Sequence, residues 1–92
     1  MTMCQQKFGA IFKVNVLCND SDEVISLYRK RKGLPVILPV GMRIIDGEYD
    51  FEITGVSAPI SFDIVTYRCD LYGVFTHEQV AELITKYGWR KE

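Results

Sequence analysis

The sequence predicts an α+β domain: a small antiparallel β-sheet or half-open barrel, in the order β-α-β-β-β-α, packed by one or two helices. Three observations support this fold class. An Asp-Gly pair at 46–47 precedes strictly alternating apolar and polar residues, a capped amphipathic helix is encoded near the C-terminus, and the 92 residues are 48% hydrophobic and 25% charged. This size and composition fit one globular domain over residues 1–92, with a flexible N-terminus at 1–7.

The first predicted element is a strand over Phe8–Cys18. Apolar side chains occupy alternate positions, namely Phe8, Ala10, Phe12, Val14, Val16 and Cys18. A period of two places these side chains on one face of a strand. We therefore expect this face to be buried and the opposite face to contact water.

The next segment carries helix signals. Asp20 is placed as an N-cap, and Glu23 follows three residues later, as in a capping box. An apolar stripe at helical spacing comes next, formed by Val24, Ile25, Leu27 and Tyr28. Gly33 suits the position just after a helix, and Pro35 prevents continuation. We expect a helix from Asp20 to about Gly33.

A bend and a hairpin are predicted next. The apolar stretch Leu34–Ile45 contains two prolines that cannot donate to a β-ladder, so we expect a bend near Pro39–Gly41 and a strand from about Val40. The pair Asp46-Gly47 predicts a type I′ turn, which needs positive φ at both central residues. Beyond the turn, alternation assigns Tyr49, Phe51 and Ile53 to the core, and Glu48, Asp50, Glu52 and Thr54 to water.

A further strand follows a turn at residues 55–59. The phase of the apolar residues slips within Ile60–Cys69, and a β-bulge near Ile64–Val65 would bring both halves onto one core. A short extra strand is predicted over Leu71–Phe75.

The C-terminal helix has the clearest signals. Thr76 and Gln79 form a predicted capping box, in which each side chain binds a backbone amide of the other residue. The apolar face has helical spacing and consists of Val80, Leu83, Ile84 and Tyr87. Gly88 is placed for a left-handed residue at the end of the helix.

Charge and cysteine content restrict the function classes. The net charge is −1 and the pI is about 5.8, so no overall field draws the chain to nucleic acid or to a membrane. Cys4, Cys18 and Cys69 are an odd number without paired spacing, which favours reduced thiols and a cytoplasmic protein. We predict no cofactor and no metal site, because phosphate-binding loops and paired Cys ligands are absent.

One charge run stands out, formed by Arg29, Lys30, Arg31 and Lys32. The functional hypothesis is nucleic-acid binding, with Arg43, Arg68 or Arg90–Lys91 contributing. The structural explanation is that acids in the first turn and bases in the last turn complement the dipole of the predicted helix. Four consecutive helical residues also fan around the axis instead of lining one face. We favour the structural explanation.

The leading hypothesis is a non-enzymatic binding module that docks on another protein as an inhibitor, an adaptor or a homo-oligomer such as a homodimer. Glu48, Asp50 and Glu52 on the water-facing side of the hairpin are the predicted site for a basic partner. Tyr72, which lies off the alternating pattern at a turn, is the predicted aromatic anchor. The alternative explanation of the carboxylates is a solvated strand that discourages edge pairing.

The enzymatic alternative rests on His77, the sole histidine. It is placed at the first position of the C-terminal helix, where the helix dipole opposes protonation of the imidazole. Cys69 and Asp70 lie upstream, so a Cys69–His77 nucleophile pair is one hypothesis, and it requires a reactive Cys69 thiol. Because no catalytic motif accompanies these residues, we predict no enzymatic activity and assign no catalytic residue.

Overall fold

The computed structural model describes residues 8–34, 36–61, 63–71 and 75–92. Within these ranges the chain forms one mixed sheet of six strands and one α-helix. The elements are β1 Phe8–Cys18, β2 Glu23–Leu34, β3 Arg43–Asp46, β4 Tyr49–Ser57, β5 Ile64–Leu71, α1 His77–Lys86 and β6 Arg90–Lys91. Their order across the sheet is β3-β4-β5-β1-β2-β6.

The strand β1 has the predicted bounds and lies near the centre of the sheet. It pairs antiparallel with β2 and parallel with β5, so that Ala10 lies opposite Arg31 on one side and Val65 on the other. The parallel pair departs from the expected antiparallel sheet. It is possible because β2, β3 and β4 separate β1 from β5 in the chain, which provides the long connection that parallel neighbours need.

The helix predicted over residues 20–33 is wrong, because this segment forms β2. Asp22 has a φ of +53° and belongs to a tight turn, after which β2 pairs with β1 along its length. Ile25 and Leu27 are buried in the alternating pattern of a strand. Pairing with a long apolar neighbour therefore outweighs a local capping signal, since most helix stability comes from packing.

The hairpin of β3 and β4 is confirmed, with a different turn. The two loop residues are Gly47 and Glu48, and of these only Gly47 has positive φ, at +63°. This pattern fits a type II′ turn with glycine first, not the predicted type I′. The bend is also confirmed: Gly41 has a φ of +91°, and its amide donates to the carbonyl of Ile53 at 2.7 Å. The strand β3 begins at Arg43, later than the predicted Val40.

The bulge predicted in the fifth strand lies instead in β4. The register shifts between Ile53 and Gly55, while β5 pairs evenly with β1 from Ile64 onwards. Ile60 and Ile64 are simply exposed, at 97% and 48%. The phase slip in the sequence thus marks the start of a strand and not an irregularity within it.

The helix α1 covers one face of the sheet and has the predicted cap. Gln79 N donates to the Thr76 hydroxyl at 3.4 Å, and Thr76 N donates to Gln79 Oε1 at 2.9 Å. Gly88 is left-handed as predicted, with a φ of +79°. The following residue, Trp89, is buried and stacks on Phe51 with ring centroids 4.8 Å apart.

The covered face of the sheet is concave. Arg29 on β2 forms an ion pair with Asp46 on β3, although four strand intervals separate these strands. A flat sheet would place them about 19 Å apart. The sheet therefore curves around the core, and its other face is convex and is not covered by a helix in the described part of the chain. Among the described residues, no helix combines the length and the apolar character needed to cross a membrane.

Candidate functional site

The basic run lies on β2 and is divided between the two faces of the sheet. Arg29 and Arg31 line a cavity on the concave face, whereas Lys30 lies beside Tyr28 on the convex face. Lys32 lies at the register shift between the Ala10–Arg31 and Phe8–Leu34 pairs, where simple alternation does not assign a side chain to a face. The explanation of this run as a complement to a helix dipole is therefore wrong, since the run is part of a strand.

The outer edge of β2 is only partly covered by β6. This short strand pairs with Leu27 and Tyr28, and Glu92 N donates to the carbonyl of Ser26 at 3.0 Å. Backbone groups alternate in direction along an antiparallel strand. The main chain of Lys30 therefore points outward, where no other strand pairs with it in the described ranges.

A cavity of about 280 Å³ opens on the concave face beside this edge. Its apolar lining comprises Phe12, Leu34, Leu38, Ile44, Phe51 and Trp89. Charged side chains at the rim are Arg29, Arg31 and Asp46. The cavity thus combines an apolar floor with a positively charged side that faces β2.

The two arginines at the cavity differ in their partners. Arg29 pairs with Asp46, and the same carboxylate oxygen accepts a hydrogen bond from Trp89 Nε1 at 3.2 Å. The side chain of Arg31 makes no ion pair or hydrogen bond within the part of the chain that the structure describes. One guanidinium is therefore fixed, and the other is available to an anionic group.

The predicted acidic site lies on β4 and in its turn. Glu48 is exposed in the turn, and Asp50 and Glu52 are partly exposed on the side opposite the buried Phe51. Arg43 pairs with Asp50 through Nη2 and also donates from Nε at 3.2 Å. The three carboxylates are near one another along the chain, but the charge of Asp50 is already balanced.

The predicted aromatic anchor, Tyr72, lies outside the described residues. Exposed apolar side chains occur elsewhere, on the convex face of the sheet. Leu17 and Val24 lie opposite each other across β1 and β2, and each is 58% exposed. Val24 is expected in the apolar stripe of a helix. It faces water because its segment forms β2, in which it alternates with the buried Ile25.

A row of basic side chains crosses the convex face. Arg68 on β5 lies opposite Lys13 on β1, Lys13 lies opposite Tyr28 on β2, and Tyr28 lies opposite Arg90 on β6. Lys13 forms an ion pair of 3.5 Å with Glu92. The row brings together two of the residues, Arg68 and Arg90, that the nucleic-acid hypothesis named.

The structure does not bring Cys69 to His77. Cys69 pairs with Val14, whereas the residue beside the start of α1 is Cys18, four positions further along β1 and roughly 13 Å away. Burial, followed by the charge of Asp70, raises the pKa of the Cys69 thiol to about 11. The thiolate needed for a nucleophile is therefore scarce near neutral pH.

A different cluster surrounds His77. Its Nδ1 lies 3.0 Å from Asp20 Oδ1, its Nε2 lies 3.1 Å from Glu23 Oε2, and its backbone N–H donates to Asp20 Oδ2 at 3.3 Å. The Cys18 thiol is next to this group, with Sγ and the donor atoms of Asp20 and His77 all within 4.8 Å of one another.

Electrostatics in this cluster oppose the expectation from the helix dipole. Hydrogen bonds to Glu23 first and Asp20 second raise the pKa of His77. The pKa of Asp20 is lowered, chiefly by the backbone N–H of His77. Two nearby carboxylates therefore outweigh the helix terminus, which alone would keep the imidazole neutral.

Comparison with known proteins gives no relative for this chain. No family model, no curated protein and no solved structure matches it.

Proposed function

We propose that the protein is a binding module that docks on another protein by adding an extended acidic segment of that partner to the outer edge of β2. The observation that carries this proposal is the edge of β2 at Lys30, with which no strand pairs among the described residues and which lies beside the positively charged cavity. Addition of a strand to an open sheet edge is a common mode of peptide recognition, because the main chain supplies affinity and alternate side chains supply specificity.

The charges on β2 supply selectivity at this edge. Lysine on an edge strand discourages pairing with neutral or basic strands, because the incoming strand would desolvate an unbalanced charge. The carboxylates of an acidic strand would balance the lysine charges of β2. Opposite charges across an interface also accelerate association. The same residues thus protect the edge from aggregation and admit one class of partner.

The cavity adds a requirement for an apolar side chain. A strand paired with β2 directs alternate residues toward the concave face, beside Arg29 and Arg31. The volume of the cavity, about 280 Å³, is just below the range of about 300–1,000 Å³ that is typical of small-molecule sites. The cavity therefore suits one or two side chains of the partner. The preferred partner sequence therefore combines acidic residues with an apolar residue that enters the cavity.

The test uses display libraries of short peptides in which Asp or Glu alternates with randomised positions, with a Lys-containing library as the counterpart. We expect enrichment from the acidic library alone. Binding of a selected peptide should fall about tenfold or more in K30E/K32E, which is a loss of about 1.4 kcal/mol. The matched control for the single variant Lys30→Glu is Lys86→Glu, the same charge reversal on an exposed side chain of α1.

A second pair of variants separates backbone pairing from charge. Lys30→Pro removes the outward N–H together with the charge, whereas Lys30→Gln removes the charge alone. Proline is tolerated at an edge position whose N–H faces solvent. We expect Lys30→Pro to bind a selected peptide more weakly than Lys30→Gln while both remain folded by circular dichroism. Equal affinities would refute strand addition.

The acidic residues offer a second docking surface for a basic partner. Glu48 is exposed, and Glu52 has no ion-pair partner in the described ranges, whereas Asp50 is paired with Arg43. Reversal of all three carboxylates to Lys should reduce the affinity and the association rate for such a partner. Unchanged binding of every partner by this variant would remove the surface from consideration.

Nucleic-acid binding is the second candidate function, and the row of Arg68, Lys13 and Arg90 around Tyr28 favours it. Such binding would weaken steeply with salt, because phosphate contacts release counterions. We would expect R68Q/R90Q to abolish a mobility shift of short single- or double-stranded probes, and Arg31→Gln on the opposite face to preserve it. No shift at low salt would exclude this function.

A further inference from the structure

We propose that Cys18, Asp20 and His77 form a zinc-binding site, in which Glu23 orients the imidazole from outside. The site is independent of the docking edge, since it lies where the β1–β2 turn meets the start of α1. Sequence reasoning missed it because its residues belong to two segments far apart in the chain and lack paired Cys spacing.

The donor atoms are close to the separation that a zinc ion requires. Zn²⁺ binds sulfur at about 2.3 Å and imidazole nitrogen or carboxylate oxygen at about 2.0–2.2 Å in a tetrahedron, which puts neighbouring donors roughly 3.3–3.7 Å apart. The Cys18, Asp20 and His77 donor atoms all lie within 4.8 Å of one another. Small side-chain rotations would close the remaining gap.

The backbone holds these ligands in place without a metal. Cys18 pairs with Phe75 in a parallel bridge, and Asn19 N donates to the carbonyl of Phe75 at 2.9 Å. The His77 backbone N–H is tied to the Asp20 carboxylate. The two segments that carry the ligands, residues 18–20 and 75–77, are therefore fixed against each other, so little conformational freedom would be lost when a metal binds.

Glu23 supplies the outer partner that a metal-bound histidine normally has. A ligating imidazole usually donates its other N–H to a carboxylate, which fixes the tautomer and the ring orientation. Asp20 Oδ1 lies by Nδ1 and Glu23 Oε2 lies by Nε2. A metal between Nδ1 and Asp20 would leave the proton on Nε2, where Glu23 accepts it.

The donor set selects the class of metal. One thiolate, one imidazole and one carboxylate suit Zn²⁺ and related borderline cations, whereas Mg²⁺ and Ca²⁺ prefer oxygen ligands alone. The Cys18 side chain is 0% exposed and would approach from the protein interior, while Asp20 and His77 are each 44% exposed. Three protein ligands leave a fourth position for water on the solvent side.

The experiment uses the full chain with Cys4→Ser, so that the two remaining thiols are Cys18 and Cys69. After removal of metals with a chelator, the protein is titrated with zinc chloride by calorimetry and with cobalt(II) by absorption. We expect one equivalent of zinc, a cobalt–thiolate charge-transfer band and a zinc-dependent increase in melting temperature. The band should persist in Cys69→Ser.

Variants of the more exposed ligands are used because replacement of the buried Cys18 would also affect folding. His77→Gln and Asp20→Asn should each lower zinc affinity by about 100-fold or more, and Glu23→Gln by about 10–100-fold. Glu78→Gln, in the first turn of the same helix, is the matched control and should bind normally. The zinc site would be refuted by absence of the cobalt band, or by a zinc affinity that neither His77→Gln nor Asp20→Asn changes. The cluster would then be only a set of ion pairs.

Discussion

The reactivity of Cys69 follows from its surroundings. Because burial raises its pKa from an ordinary 9.0 to about 11, its thiolate fraction at neutral pH is far below that of a free thiol. We expect alkylation of Cys69 to be at least tenfold slower in the folded protein than in denaturant, measured in C4S/C18A, and to accelerate as pH rises. Rapid labelling of the folded variant at neutral pH would contradict this assignment.

The same shift predicts how stability depends on pH. A thiol whose pKa is higher when folded than when unfolded stabilises the native state fully below pH 9.0, and this contribution is lost as the pH rises toward about 11. Urea unfolding across that range should show a decline in Cys4→Ser that is smaller in C4S/C69A. An identical decline in both variants would assign it to other groups.

Gly47 is required by both its backbone and its neighbour. Its φ is +63°, and an added Cβ would overlap the ring of Tyr87. Gly41 provides the matched control, since its φ is +91° but a Cβ there meets nothing within 4 Å. We expect Gly41→Ala to cost about 1–2 kcal/mol from the left-handed backbone alone, and Gly47→Ala to cost more. Equal losses of unfolding free energy for the two variants, measured in urea, would show that the Tyr87 ring moves aside at no cost.

At the scale of elements, sequence patterns predicted strands and helices well where local and tertiary preferences agree. β1, the β3–β4 hairpin and α1 carry a clear period together with caps or turns, and all three elements are present, although the turn of the hairpin is of another type and β3 begins later than predicted. The helix predicted for the segment of β2 is wrong for a physical reason. Val24, Ile25, Leu27 and Tyr28 together have helical spacing, whereas Ile25 and Leu27 by themselves fit the period of a strand. The pairing with β1 that decides between the two involves residues outside the segment.

The cap of α1 is a stability contribution that belongs to one element. Replacing Thr76 by Ala removes the acceptor for the Gln79 amide and should destabilise the protein by about 1 kcal/mol. Thr85→Ala is the matched control, because Thr85 lies in the last turns of the same helix and binds only the carbonyl of Ala81. A loss for Thr76→Ala no larger than that for Thr85→Ala, measured by urea unfolding, would show that the cap contributes little.

At the scale of the whole molecule, the candidate sites depend on topology that the sequence does not display. The charge of residues 29–32 is evident from the sequence, but its division between two faces follows from the strand, and its place on the outer strand β2, only partly covered by β6 among the described residues, follows from the sheet order. The approach of Cys18 to His77 has the same origin, since a single bridge to Phe75 joins the two segments. Pairing between distant segments carries no local periodicity, and this is why composition identified the residues but not the sites.

We expect Asp46 to stabilise the curved sheet, because it joins three distant parts of the concave face: β3, β2 and the segment after α1. Its carboxylate binds Arg29 from β2 and Trp89 Nε1 from the segment after α1. Asp46→Ala leaves a partly buried guanidinium and an indole N–H without their acceptor, at a cost of about 1–3 kcal/mol. Asp50→Ala removes only the more exposed pair with Arg43 and should cost about 0–1 kcal/mol. We expect urea unfolding, followed by Trp89 fluorescence, to show this difference; equal losses would mean that the Asp46 contacts do not hold the sheet in its curved form.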